Sequence, residues 1–421
     1  MSLQEEYNLF EYQNELELSE IFDQLKDLTH EIWTNRPKSG YFRQIEKKKD
    51  HQQYLKFNHE KKSIKAKNYV GVIRWREKTI NLLPKIFYRE GIDDTENKEY
   101  TKRIHQHIFW WLRYCRKFRF SKNQTDMSKD FSNIFEMMIY FFAQNTIELL
   151  SKSLYVQFED IQRETTFIKG RLNIHEYISD NLVTAKWHKF NCTYDTCTID
   201  NRFNRILKFV TKLLVSFTCE NINKELLNKI LFFLDEVSDE PAVAEDCHKI
   251  RFNPMYDEYE IVKNYCYLFL SNCISVHNEN DFKAFAFLIP MEYLFEDFIY
   301  GFIDKEIDGV DAAAQSGKEY LDEDETFKLK PDLVLEINKK KYIADTKYKV
   351  IFNDEEDKKK GISQSDMYQM IAYAVRYGIN EIFLFYPNTV KNSHHEENNC
   401  ERAEFKVKDE LSEHKEITIY A

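Results

Sequence analysis

The sequence predicts an α+β, multidomain chain with a β-containing N-terminal region, a helical middle region and a C-terminal α/β core. Three observations carry that prediction. Residues 69–87 (YVGVIRWREKTINLLPKIF) alternate around a charged middle, apolar residues recur on a helical period through much of 131–273, and 290–386 reads as helix, hairpin, helix and strand in turn. A chain of 421 residues has the length for two or three domains and a sizeable core, and the changes of pattern divide it into 1–125, 126–280 and 281–421.

Taken in order, Gln4 to Arg36 is acidic and reads as helical or partly extended, and Phe42 to Lys67 is basic with weak periodicity. Tyr69 to Phe87 reads as a hairpin turning at Trp75 to Lys78. From Ser128 the period becomes helical, over Phe131 to Tyr155, Asn201 to Phe217, Leu226 to Val237 and Tyr256 to Cys273, with an extended stretch at Phe167 to Leu172. The polar loop Val276 to Asp281 marks the boundary of the last region. Beyond it, Met291, Leu294, Phe295, Phe298 and Phe302 make one stripe of a helix over Pro290 to Lys305. Asp332 to Ile337 and Lys341 to Val350 read as strands joined by a polar turn at Asn338 to Lys340. A helix over Ser365 to Tyr377 and a buried strand at Glu381 to Tyr386, ended by Pro387, complete the core.

Composition narrows the function classes. Aromatic content of 15%, with 33 Phe and 26 Tyr, supplies ample core, and only nine Gly and seven Pro exclude collagen-like and low-complexity designs. A net charge of −11 argues against non-specific coating of nucleic acid, which needs Lys and Arg to displace counterions, yet leaves room for a local basic groove. The basic clusters Lys47 to Lys49, Lys61 to Lys67, Arg113 to Lys122 and Lys339 to Lys341 read first as solvated faces. Eight scattered Cys predict reduced thiols, and Cys192, Cys197 and Cys219 lack the second pair of a zinc ribbon. His105 and His107 in an aromatic helical run, and His394 and His395 in a polar loop, read as structural or solvated. With no leader pattern and no bilayer-length apolar window, the expectation is a cytoplasmic protein without membrane contact.

The chemistry is concentrated in one segment. Pro331-Asp332, twelve intervening residues and Asp345-Thr346-Lys347 reproduce the spacing of metal-dependent nucleases of the PD-(D/E)xK type, which makes the C-terminal core a candidate nuclease and DNA its substrate. Phosphodiester hydrolysis requires a hard cation held through oxygens. Asp332 and Asp345, with the main-chain carbonyl of Thr346, can hold Mg2+, or Mn2+ in its place. Lys347 can orient the attacking water and offset charge on the phosphate. An isolated motif of this kind is equally an ordinary charged hairpin. Its surroundings weigh against that: Glu296 lies off the apolar stripe of the preceding helix and can serve as a further metal or water ligand. Gln369 and Tyr373, one helical turn apart behind the motif, can touch a phosphate or brace the lysine.

Five blocks in order resemble the McrC family: Asn81 to Ile86 (NLLPKI), Phe167 to Leu172 (FIKGRL), Asp200 to Lys208 (DNRFNRILK), Tyr293 to Phe298 (YLFEDF) and the Pro331 to Lys347 hairpin. The resemblance spans about residues 69–387 and leaves the first 65 unexplained. McrC-like proteins are the nuclease subunits of McrBC-type restriction systems directed at modified DNA, notably 5-methylcytosine. The resemblance therefore implies a partner, a McrB-like AAA+ GTPase ring that recognises and translocates DNA. The McrC-like subunit docks on that ring, stimulates its hydrolysis and cuts. It implies that Asp332, Asp345 and Lys347, with Glu296 and Gln369, form the nuclease motif, and that the N-terminal region is the docking element. Asn204 and Arg205 match a segment read as fold-supporting. The chain has no Gly-x4-Gly-Lys-Ser/Thr loop, in keeping with nucleotide bound by the partner and not by this chain. Two other readings stay open: an activating subunit with a vestigial nuclease fold, and a stand-alone DNA repair nuclease.

Overall fold

A computed structural model describes residues 5–19, 21–34, 54–75, 78–89, 94–115, 131–277, 283–314, 319–351, 357–388, 403–407 and 417–421. It is mixed α and β, as expected, and divides into two compact units: Met1–Met137 with Ser271–Ala421, and Met138–Leu270. The basic clusters at 47–49 and 116–122, and His394 and His395, lie outside the described residues.

The first unit opens with a five-stranded sheet. Strand β1 (Glu5–Phe10) pairs parallel with β6 (Lys78–Leu83), which forms the expected hairpin with β5 (Tyr69–Trp75). Beyond β5 lie β11 (Lys283–Pro290) and β10 (Cys273–His277), so the chain returns to its first sheet after the middle region. Of the loop expected to bound the last region, Val276 belongs to β10, and 278–281 lie outside the described residues. The return is favoured because β11 (KAFAFLIP) is apolar on both faces. Ala286 and Leu288 join the core under α1 (Phe22–Thr34), whereas Phe285 and Phe287 meet the Phe135 ring at 4.6 and 5.3 Å. Gly71, at φ +146°, permits the pairing, since a Cβ there would lie 1.9 Å from the Phe287 carbonyl oxygen. A small sheet of β2 (Leu16–Glu17), β4 (Ser63–Ala66) and β3 (Leu55–Asn58) adds to this region.

The aromatic run with His105 and His107 lies on α2 (Asp94–Tyr114). Its Trp110 and Trp111 pack on Phe298 of a later helix, both with centroids 5.1 Å apart. Burial lowers His105 to about 4, which keeps its ring neutral and fits the structural reading.

The second unit carries the expected helices α3 (Ile134–Lys152, which begins in the first unit), α4 (Arg202–Phe217), α5 (Asn221–Phe233) and α6 (Tyr259–Asn272). The α4 cap is Asn201, whose side chain accepts from the Asn204 backbone at 3.0 Å, while Asn204 Nδ2 donates to the Ile199 and Tyr155 carbonyls at 2.7 and 2.9 Å. The unit is not purely helical. Strand β7 (Gln157–Thr165) pairs along its length with β9 (Phe190–Thr198), and β8 (Arg171–Leu172) adds to β9.

The C-terminal core, in the first unit, begins with α7 (Met291–Glu306), matching the expected helix. A six-stranded sheet follows in the order β12 (Val310–Ala314), β13 (Leu333–Ile337), β14 (Lys340–Thr346), β15 (Glu381–Phe385), β17 (Ile417–Tyr420) and β16 (Glu404–Val407). Helix α8 (Gln364–Tyr377) connects β14 to β15. Ser363 caps it by accepting from the Asp366 backbone, and Gly378 ends it in the left-handed conformation. Met370, Tyr373 and Ala374 of α8 pack on Ile343, Ile382 and Leu384 of the sheet. The central β14–β15 pair is parallel, consistent with a helical crossover.

Candidate active site

The site is made by a tight hairpin. Asn338 and Lys339 have φ of +50° and +66°, the paired left-handed conformations of a two-residue turn whose twist matches its strands. The turn is thus one residue shorter than the sequence suggests, and β14 ends at Thr346, four residues before the expected Val350. A reason lies in the next residues. The Lys347 amide still donates to the Phe385 carbonyl at 2.8 Å, but the Lys349 amide turns back to the Lys347 carbonyl at 2.8 Å, so the chain makes a three-residue turn centred on Tyr348.

Register carries Asp332 to the end of β14. Its Oδ2 accepts from the Thr346 backbone amide and hydroxyl, each at 2.8 Å, which locks the residue before β13 against the strand end. Asp345, 1% exposed, is paired with the Lys347 ammonium through Oδ2. Burial and, next, the charge of Asp332 push the Asp345 carboxyl up to about 7, against the pull of Lys347. Burial opposes the charge on Lys347, yet Asp345 and Asp332 leave its ammonium more firmly protonated than usual. Two acids therefore share one strand end with one ammonium, and burial with the second acid favours a proton on Asp345.

The α8 pair is also in place. Gln369 Nε2 donates to the Tyr373 hydroxyl at 2.7 Å, and that hydroxyl donates to the Lys330 carbonyl at 2.9 Å, two residues before Asp332. Burial and then the charge of Asp345 raise the Tyr373 phenol above its ordinary range, so it remains a donor. Tyr373 therefore braces the segment leading into Asp332. Glu296 is half-buried on α7, and its charge is felt by Tyr293. Among the described residues, no three His, Cys, Asp or Glu side chains form a metal-holding group, so Glu296 is not gathered with Asp332 and Asp345.

Sequence reasoning missed Asp366 and Lys349. Asp366, buried in the first turn of α8, accepts from Lys349 Nζ at 2.9 and 2.7 Å and from the Tyr386 hydroxyl at 3.2 Å. Burial opposes ionisation of Asp366, but Lys349 and Ser363 outweigh it and hold the carboxyl below its ordinary range. Its charge reaches both Asp345 and Lys347. The available signal was the Lys-x-Lys repeat at 347 and 349, with an acid three residues after a Ser cap.

The donor set fits a hard dication. Two carboxylates in one electrostatic field are the kind of donor that suits Mg2+, which keeps several waters and takes only one or two protein acids. Both Thr346 bonds engage Asp332 Oδ2.

The second unit has a different surface. Between 158 and 187 it exposes Phe158, Phe167, Ile168, Ile174, Ile178, Leu182, Val183 and Trp187, with Phe158, Val183 and Trp187 at 74, 77 and 69%. Interaction surfaces commonly expose large apolar side chains in this way. Among the described residues, no helix is long and apolar enough to cross a membrane.

Fold and site define a mixed α/β protein whose chemical groups converge at the end of one hairpin. The chain belongs to the McrBC 5-methylcytosine restriction system component family, whose model matches residues 64–387. No curated protein matches it by sequence. In fold it is similar to a chain from a refined half-complex of the tetradecameric assembly of Thermococcus gammatolerans McrB AAA+ hexamers with bound McrC. That match has a TM-score of 0.68 and 18% identity, covering 99% of this chain and 93% of the other. It is also similar to a chain of the Thermococcus gammatolerans McrBC complex solved by cryo-EM, with a TM-score of 0.53 and 18% identity over 71% of this chain and 87% of that one.

Proposed function

We propose that the chain is the DNA-cutting subunit of a two-component McrBC-type restriction system, a Mg2+-dependent endonuclease that also docks on and stimulates a McrB-like AAA+ GTPase ring. The observation that carries the cutting role is the buried Asp345 beside Asp332 and Lys347 at one strand end. Asp332 and Asp345 would hold the ion, with the Thr346 carbonyl and waters completing its shell, and Glu296, which does not join them in a metal-holding group, would act from α7 through a water. A bound dication supplies phosphoryl polarisation and a more acidic water. Lys347 would orient the attacking water and balance charge gathering on the phosphate. Gln369 and Tyr373 hold the segment before Asp332 in place.

The docking role is supported by the exposed apolar surface at 158–187. The Thermococcus gammatolerans assembly that the chain resembles in fold contains McrB AAA+ hexamers with bound McrC. We read an AAA+ ring as the occupant of this surface. The middle unit would in that case add to the docking element that the family resemblance puts in the N-terminal region.

A second reading, an activating subunit that does not cut, is favoured by the Lys347–Asp345 pair, which partly neutralises the centre from within. Mixing the chain with its ring partner, GTP, Mg2+ and methylated plasmid separates the two. Under the first reading, Asp345→Ala loses cutting and retains NTPase stimulation. Equal cutting by variant and wild type would defeat it.

A further inference from the structure

Glu11 is a carboxylate that the proposed chemistry does not use, yet it is fully buried and reaches the turn that follows Lys347. It follows β1, its amide donating to the Leu83 carbonyl at 3.0 Å, and Tyr12 after it takes a left-handed φ of +59° while its amide donates to the Ala66 carbonyl at 2.9 Å. The backbone that presents Glu11 is therefore pinned on both sides. Glu11 Oε2 accepts from the Tyr348 hydroxyl at 2.7 Å and from the Lys85 amide at 3.2 Å, whereas Oε1 is buried without a hydrogen-bond partner. The Lys85 ammonium lies 4.4 Å from the Tyr348 ring centroid and 5.7 Å from that of Tyr12. Phe295, the neighbour of Glu296, packs on Tyr348 at 6.0 Å.

Leaving a buried carboxylate oxygen unpaired is costly, and a β-sheet edge gains nothing obvious from it. What the arrangement does hold is Tyr348, the centre of the turn that ends β14 and the residue next to Lys347. We propose that Glu11 is a positioning residue for the nuclease centre: by holding the Tyr348 phenol it fixes the turn from which Lys347 projects. The inference rests on Lys347 acting in cutting. It makes the N-terminal sheet a part of the active-site scaffold, through a contact between residues 337 positions apart.

The test uses the chain assembled with its AAA+ partner, with single-turnover cleavage of methylated DNA as one readout and calorimetric Mn2+ binding to the chain alone as another. Tyr348→Phe keeps the ring and removes only the hydroxyl, and Glu11→Ala removes the acceptor. Because small displacements of catalytic groups are expensive, each is expected to slow cleavage about tenfold or more, with DNA half-saturation and Mn2+ affinity within about twofold of wild type. Glu11→Gln keeps a carbonyl for both donors and puts its amide group where Oε1 already lacks a partner, so it is expected to restore the rate to within about threefold of wild type. The Glu11→Ala, Tyr348→Phe double variant is expected to be no slower than the slower single variant, because both remove the Tyr348–Glu11 bond. Rates that follow only the folded fraction measured by thermal unfolding, or additive losses in the double variant, would overturn the proposal. A wild-type rate in Asp345→Ala would instead remove the nuclease reading beneath it, so the two failures are distinct.

Discussion

The hairpin sheet of the C-terminal core and the β7–β9 sheet of the middle unit use opposite kinds of residue against their environments. The first buries charge: Asp345 and Asp366 are almost without solvent, and Glu11 reaches in from the N-terminal sheet. The second exposes apolar surface from Phe158 to Trp187. Both arrangements cost folding free energy, since a buried carboxylate loses hydration and an exposed Trp or Phe gains none of the benefit of burial. Under the proposed function, the difference is a division of work. Buried charge is useful where an ion and a phosphate must be held, and exposed apolar area where a protein must be bound.

Four variants or conditions sharpen or break that contrast. The largest effect is expected from Lys347→Ala, which should lower cleavage by about 10²–10³, the usual cost of losing one group that stabilises a transition-state charge, with stimulation of the partner unchanged. Parallel assays of cutting and GTP hydrolysis check it. Next, Trp187→Asp places a charge in the apolar surface and should weaken the complex with the ring by about 2 kcal/mol or more, the scale of an interface hot spot, with Mn2+ binding to the chain unaltered. Analytical ultracentrifugation or interferometry measures it.

Asp366→Asn should have an intermediate effect. It leaves Lys349 with a neutral partner and reduces negative charge felt by Asp345, so cleavage should fall by about threefold to tenfold while Tyr373 keeps its bond to Lys330. Steady-state kinetics would register the change in kcat. The smallest effect concerns pH. Burial raises Glu11 to about 7, so the folded chain binds its proton more tightly than the unfolded chain does. That contribution is fully present below the unfolded value of 4.5 and is lost as pH rises through about 7. Asp345 contributes with the same sign. In the middle unit Asp200 has the opposite sign: Arg205 and Ser238 hold its carboxyl low, so its contribution is lost on acidification, and its exposure keeps that effect small. Glu11→Gln should therefore flatten the fall in Tm between about pH 5 and pH 8, by on the order of 1 kcal/mol at the alkaline end. An unchanged slope in a thermal-shift series would contradict this.

How much of this was legible follows from the range of the interactions. The hairpin, both flanking helices and the acid-to-lysine spacing are local, and alternation, helical period and a Ser cap write them into the chain. The return of β10 and β11 to the first sheet is not local. An all-apolar strand such as β11 says only that it is covered on both faces, not by what, so the loop at 276–281 reads as a boundary when Val276 is already in a strand. The Glu11–Tyr348 bond has no signature, since each residue alone reads as an ordinary acid or aromatic. The pairing of Asp366 with Lys349 depends on where α8 lands against the strand end. The apolar surface of 158–187 was missed for a related reason: Phe and Trp read as core until a fold leaves them outside.

The most direct measurement assays one pair of variants, Asp345→Ala and Trp187→Asp, for cleavage of methylated DNA and for GTPase stimulation in the same reconstituted complex. The division of work predicts that Asp345→Ala abolishes cleavage with stimulation intact, and that Trp187→Asp loses stimulation with Mn2+ binding intact. Cleavage by Asp345→Ala at the wild-type rate, or full stimulation by Trp187→Asp, would contradict it.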